Sequence, residues 1–185
     1  RGSVLLILQA ILSVAAFIQL CRTQMLPTLY LVIIAALLVL FWLLVKCAAR
    51  NSSLNCLYFY PKEYIEEAQK RGLADLDATM QKGKRFMVPF CIVMLLVLLL
   101  IVSVWNRVTD FKTAYLQCCL FLVVMNWFDG LVIDGLWVGH SKIWRIAGME
   151  GISYVKPWKT ILTRRALATL FYLIFALALA GIVVL

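Results

Sequence analysis

Residues 111–140 read F-K-T-A-Y-L-Q-C-C-L-F-L-V-V-M-N-W-F-D-G-L-V-I-D-G-L-W-V-G-H. The stretch opens as an apolar run that approaches the length a bilayer span requires, about 20 residues. The second half, residues 126–140, breaks the pattern. It holds an amide, two carboxylates, the chain's only histidine, three glycines and two tryptophans. A membrane helix that ends in such a cluster decides the class of the protein. The remaining apolar runs are then further spans around it.

Composition agrees. Of 185 residues, 64% are hydrophobic and 15% charged, and mean hydropathy is +0.95. A soluble domain lies nearer half apolar and a quarter charged. The formal net charge of +9 is assigned to Lys and Arg retained on the cytoplasmic side of a membrane. No basic run has the density or fold signature of a nucleic-acid interface, so no nucleic-acid partner is expected. The six cysteines include no C-x-x-C and no Cys/His pair at zinc spacing. Four lie in or beside apolar runs and read as small hydrophobes, with no metal and no disulfide framework expected.

Five spans are expected, giving an all-α polytopic membrane helix bundle. Residues 4–20 and 28–45 form an antiparallel hairpin, since the short turn at 21–26 permits nothing else. This 1–50 hairpin is the first unit. A polar connection, 51–85, is the second. Pro61 can start a helix there, with Glu63, Glu66 and Glu67 early, Lys70 and Arg71 late, and Gly72 as the stop. Tyr64, Ile65 and Ala68 give that helix one apolar face for lying on a membrane surface. A second short amphipathic helix is expected over 73–81. The third unit, 86–185, carries spans at 86–105, 111–133 and 166–185, with an interfacial loop at 141–163. The whole is one integral membrane domain.

Orientation follows from the basic residues. The 46–85 connection carries eight Lys and Arg and the 142–165 connection six, against one at 21–26 and two at 106–112. The two long connections are therefore expected in the cytoplasm, with the N-terminus inside and the C-terminus outside a plasma membrane.

The hairpin resembles the two-helix anchor of LytR–CpsA–Psr-type proteins, on L-Q-x-x-L-S at 8–13 and M-L-P-x-x-Y at 25–30. That resemblance implies an anchor and no activity, because the family's extracellular catalytic domain has no counterpart in these residues. Further along, Y-F-Y-P-K-E at 58–63, W-F-D at 127–129, V-I-D at 132–134 and L-W-V-G-H-S-K at 136–142 resemble an uncharacterised group of small bacterial integral membrane proteins. This second resemblance implies a coherent segment over 57–185 and assigns no catalytic role.

Counting ~1.5 Å per residue inward from Ala114 puts Asp129 roughly 22 Å into a core of about 30 Å. On a regular helix Asn126, Asp129, Asp134 and His140 fall within an arc of roughly 140°. The two carboxylates are ~7.5 Å apart in rise and Asp134 is ~9 Å from His140, which argues against one shared metal ion. Pairing with Arg107, Lys142, Arg145, Arg164 or Arg165 is the alternative for the buried charges. Gly135 and Gly139 offer a GxxxG pair for close helix packing.

Two functions fit these residues. The preferred one is a non-enzymatic transport, permeation or accessory subunit whose cluster packs helices or binds a small ligand. Its partners are membrane lipids, with a second copy or another membrane protein as further candidates, and no cofactor. The alternative is a membrane-embedded enzyme acting on a lipid or isoprenoid at the cytoplasmic leaflet, with His140 as acid/base and Asp129 or Asp134 beside it. No nucleophile elbow, phosphate loop or dinucleotide fingerprint supports a more specific activity.

Overall fold

The structure, a computed structural model, describes residues 28–49 and 53–185. The expected first span, 4–20, lies outside them. The described residues form an all-helical bundle without strands. Helix α1 is Thr28–Ala49, followed by a 3₁₀ stretch at Ser53–Phe59. Helix α2 is Lys62–Lys70. Helix α3, Leu76–Leu100, runs on as a π-helix over Ile101–Trp105. Helix α4, Phe111–Phe128, runs on as a π-helix over Asp129–Val138. A 3₁₀ turn at Lys142–Trp144 and an irregular loop lead to α5, Trp158–Val184.

Four of these helical stretches are long and apolar enough to cross a membrane: Tyr30–Cys47, Leu76–Trp105, Phe111–Val138 and Trp158–Val184. Their outward faces are apolar, with Val93, Leu96, Leu167, Phe171 and Ile174 all exposed. Soluble monomers rarely expose contiguous apolar surface of that extent. The inner core joins α1, α3, α4 and α5 through Tyr30, Leu98, Val102, Cys118, Phe121 and Ala176. Buried Tyr30 donates from its hydroxyl to the Gln117 carbonyl at 2.7 Å, and Asn106 Nδ2 donates to Gln117 Oε1 at 2.7 Å. Small, fully buried Ala176 and Ala180 line the inner side of α5.

Helix boundaries follow local chemistry. Pro61 precedes α2 with a polyproline-like φ of −56°, and Gly72 leaves the helical region at φ +70° just after it, as a stop signal should. Asp75 caps α3 by accepting from the Asp77 N–H at 2.9 Å, and Asp110 caps α4 by accepting from Thr113 at 2.8 Å.

Three expected boundaries move. The short helix at 73–81 is not separate: from Leu76 the chain enters α3 and stays helical through Pro89. Nothing between the Asp75 cap and Pro89 breaks a helix, and Gly83 is used to pack against Tyr58. The fourth span reaches Val138 instead of 133. The fifth helix begins at Trp158 instead of 166, with Pro157 before it, so Arg164 and Arg165 lie inside α5. Charged residues tolerate a helix well, and an apolar-run count stops too early.

A second core covers one end of the bundle. It joins Val45 of α1, Leu57 and Tyr60 of the 3₁₀ stretch, Tyr64, Ile65 and Ala68 of α2, and Trp144, Ile146 and Met149 of the 141–157 loop. The apolar face of α2 is thus buried against protein. Arg71 ties α2 to this loop, holding Glu67 at 3.0 Å and donating to the Gly148 carbonyl at 2.8 Å. Gly148 and Gly151 take φ of +85° and +89°, a left-handed backbone that suits glycine.

Candidate functional site

The polar cluster forms where α4 changes its winding. In a regular α-helix, residues five apart stand about 140° apart. In a π-helix the hydrogen bonds run i→i+5 and each turn takes up more residues, so residues five apart come much closer to one face. Over Asp129–Val138 this brings Asp129 and Asp134 together, and Gly130 and Gly135 beside them. The glycine pair faces α5. A Cβ on Gly130 would lie 2.5 Å from Arg165 Cγ, and one on Gly135 would strike the Trp158 ring. Without side chains at both positions, α5 can approach closely and deliver Arg165 to the carboxylates.

Arg165 Nη2 lies 2.6 Å from Asp129 Oδ2 and 2.9 Å from Asp134 Oδ2. Lys156 Nζ holds the other oxygen of Asp134 at 2.9 Å. Side-chain exposure is 14% for Asp134, 20% for Arg165, 21% for Lys156 and 34% for Asp129. Asp134 is therefore both the less exposed carboxylate and the one with two cations. Charge-assisted contacts of this kind are short and stronger than neutral ones, and at this burial they are screened less than surface pairs.

Asn126 extends the network one turn earlier. Its amide donates to the Arg165 carbonyl at 2.9 Å and to Thr169 Oγ1 at 3.1 Å, while its own oxygen accepts from Arg165 Nη1 at 3.4 Å. Trp127 Nε1 also donates to Thr169 Oγ1 at 3.1 Å, and Thr169 Oγ1 donates to the Arg165 carbonyl at 2.8 Å. Asn126, Asp129 and Asp134 therefore converge on one stretch of α5.

His140 does not join them. It is exposed, its Nδ1 is 2.9 Å from the Leu136 carbonyl of its own helix, and it lines none of the cavities described below. Gly139 is also apart: a Cβ there would make ordinary contact with Val155 at 3.7 Å. Gly135 packs closely, against a tryptophan ring; the second glycine of the expected GxxxG pair makes no such approach. Among the described residues, no three His, Cys, Asp or Glu side chains group as a metal-ligand set.

A cavity of about 260 Å³ opens on the carboxylates. Its walls include Asp129, Asp134, Lys156, Arg164 and Arg165, with Tyr58, Tyr60, Trp144 and Tyr154 from the aromatic cap. Tyr60 is fixed there: its hydroxyl donates to the Trp144 carbonyl at 2.6 Å and its ring stacks on Tyr64 at 5.0 Å. Burial pushes the Tyr58 phenol up to about 12, aided by nearby Cys56, so it stays a hydrogen-bond donor. Trp144 is 1% exposed, and its indole N–H has no acceptor among the described residues. A second cavity of about 320 Å³ lies on the other side of the Asp129 and Arg165 pair, lined by Phe90, Met94, Leu95, Phe121, Tyr172 and Phe175 among others. The two share Phe41, Met87, Asp129 and Arg165 as walls.

Arg165 stands among the candidate pairing cations in the sequence. Lys156, Thr169 and the cap aromatics do not emerge from it. The repeat D-G-L-V-I-D-G, with Asp-Gly recurring after five residues, is the signal that marks the π-wound face. Thr169, four residues after Arg165, is the position a helix places beneath it. No protein-family model, curated protein or solved structure matches the chain.

Proposed function

We propose that this chain is a multi-pass plasma-membrane protein, a non-enzymatic small transport, permeation or accessory subunit. Its ion-paired cluster lies at the cytoplasmic end of the fourth span, locks α4 to α5 and walls a cavity for a small ligand. The contact of one Arg165 nitrogen with both Asp129 and Asp134 carries this reading. Carboxylates neutralised by a fixed cation organise helices well and abstract protons poorly. The separation of His140 from them weighs in the same direction, since acid/base partners need hydrogen-bond reach. The basic loops supply the orientation, with the α2 cap and the 141–157 loop inside.

The cavity that touches both carboxylates keeps the alternative in view, a membrane-embedded enzyme acting on a lipid at the cytoplasmic leaflet. Wild-type protein incubated with an isotopically labelled polar lipid extract separates the two. The non-enzymatic reading expects every lipid mass to be recovered unchanged. A product formed by wild type and lost in both Asp129→Asn and His140→Ala would establish the enzyme instead.

A further inference from the structure

We propose that the paired cavities form one binding site for an anionic phospholipid, its phosphate in the aromatic-lined cavity and an acyl chain in the apolar one. The inference rests on the ligand-cavity reading above and names the ligand class.

The polar cavity asks for an anion rich in acceptors. Three cations, Lys156, Arg164 and Arg165, face it against two carboxylates. Arg165 and Lys156 are committed to Asp129 and Asp134, whereas Arg164 makes no ion pair among the described residues. The Tyr58 hydroxyl is a further wall donor, whereas Tyr60 and Tyr154 already donate theirs to the Trp144 and Ser141 carbonyls. A phosphodiester supplies one negative charge and several acceptor oxygens, which matches an arginine fork with a flanking neutral donor.

The second cavity asks for hydrocarbon. Its lining is aromatic and aliphatic, with Met87, Met94 and Met125 among its walls, side chains that adapt to a flexible chain. Phe41, Met87, Asp129 and Arg165 border both cavities, so the headgroup and chain sites adjoin.

The test uses the full chain in a non-ionic detergent, incubated with an equimolar mixture of phosphatidylglycerol and phosphatidylcholine of matched chains. Native mass spectrometry counts bound lipid. The expected result is one retained lipid, phosphatidylglycerol over phosphatidylcholine by about tenfold, undisturbed by millimolar inorganic phosphate. In Arg164→Gln the preference falls to within about twofold, and Arg164→Lys restores most of it. Lys159→Gln, an exposed cation that does not line the cavity, keeps the full preference. Met94→Trp, which fills the apolar cavity, lowers retention of both lipids.

Equal retention of the two lipids, displacement by inorganic phosphate, or equal losses in Arg164→Gln and Lys159→Gln would each overturn the site. Those failures leave the helix-locking role of the ion pairs standing, because that role is read separately by unfolding. A bound lipid recovered with altered mass supports the site and overturns the non-enzymatic reading.

Discussion

Asp129 and Asp134 stand five residues apart, yet both reach the same nitrogen of Arg165, at 2.6 and 2.9 Å. The π-winding of Asp129–Val138 makes this possible, and the two carboxylates are not equivalent within it. Asp134 is the more buried and also holds Lys156 at 2.9 Å. Asp134→Asn is therefore expected to cost about 2 kcal/mol, the scale of a hydrogen bond to a charged group, and more than Asp129→Asn. Unfolding of the two purified variants in the same detergent ranks them. A larger loss for Asp129→Asn would show that the doubly paired carboxylate is not the anchor.

The glycines make a separate prediction. Gly130→Ala pushes a methyl to 2.5 Å from Arg165 Cγ, and Arg165 cannot retreat without releasing both carboxylates. A cost of about 1–3 kcal/mol is expected from such overpacking. Gly135→Ala meets the Trp158 ring, but that side chain is about half exposed and can swing outward. Thermal unfolding should find Gly130→Ala clearly the worse of the pair, with equal losses counting against a pinned Arg165.

His140 should be dispensable to the cluster. It bonds the carbonyl of Leu136 and is otherwise exposed. His140→Ala is expected to change stability by less than about 0.5 kcal/mol, as for other surface substitutions, and to leave lipid retention unchanged. Loss of retained lipid in this variant would bring His140 into the site and reopen the acid/base reading.

The opposite end of α4 carries a pH-dependent element. The Thr113 N–H holds the Asp110 carboxyl below the usual carboxylate range. A lowered folded value means that the cap is complete above the ordinary Asp range, about 4. It is lost as pH falls through the lowered value. The protection of the first-turn amides of α4, their exchange rate relative to the intrinsic rate at the same pH, should fall in acid for wild type. Asp110→Asn, which can still cap, should remove that acid dependence. Unchanged acid behaviour in the variant would assign it elsewhere.

Sidedness is open to direct labelling. Single cysteines at exposed Glu63 and Glu150, in a cysteine-free background, should react with an impermeant maleimide only after the cell is opened. A cysteine at exposed Asp110 should react in intact cells. Reversed labelling would invert the proposed orientation.

Much of the helical layout is legible in the sequence, because apolar run length, Pro61 and Gly72 act locally. The boundaries that shift do so where charge and helix coexist. Arg164 and Arg165 resemble a loop in a hydropathy count but lie inside α5, which is how Arg165 gains a fixed inward position. Asn126, Asp129 and Asp134 stand out as costly polar residues in an apolar run. Their convergence depends on the π-winding, which a 3.6-residue periodicity does not describe. Lys156 is invisible for another reason: it sits in an irregular loop, and only the path through Gly148 and Gly151 to Pro157 returns it to Asp134. The same folding brings Trp144 and Tyr58 to the cavity from distant segments.

The central claim, that one arginine on α5 locks the wound end of α4, is tested most directly by a double-mutant cycle. Unfolding would be measured for wild type, Arg165→Gln, Asp134→Asn and the double variant. Arg165→Gln alone leaves two carboxylates facing each other and should be the most damaging single change, about 3 kcal/mol or more. The double variant should recover part of that loss, giving a coupling of at least about 1 kcal/mol. Losses that simply add, within about 0.3 kcal/mol, would contradict the claim.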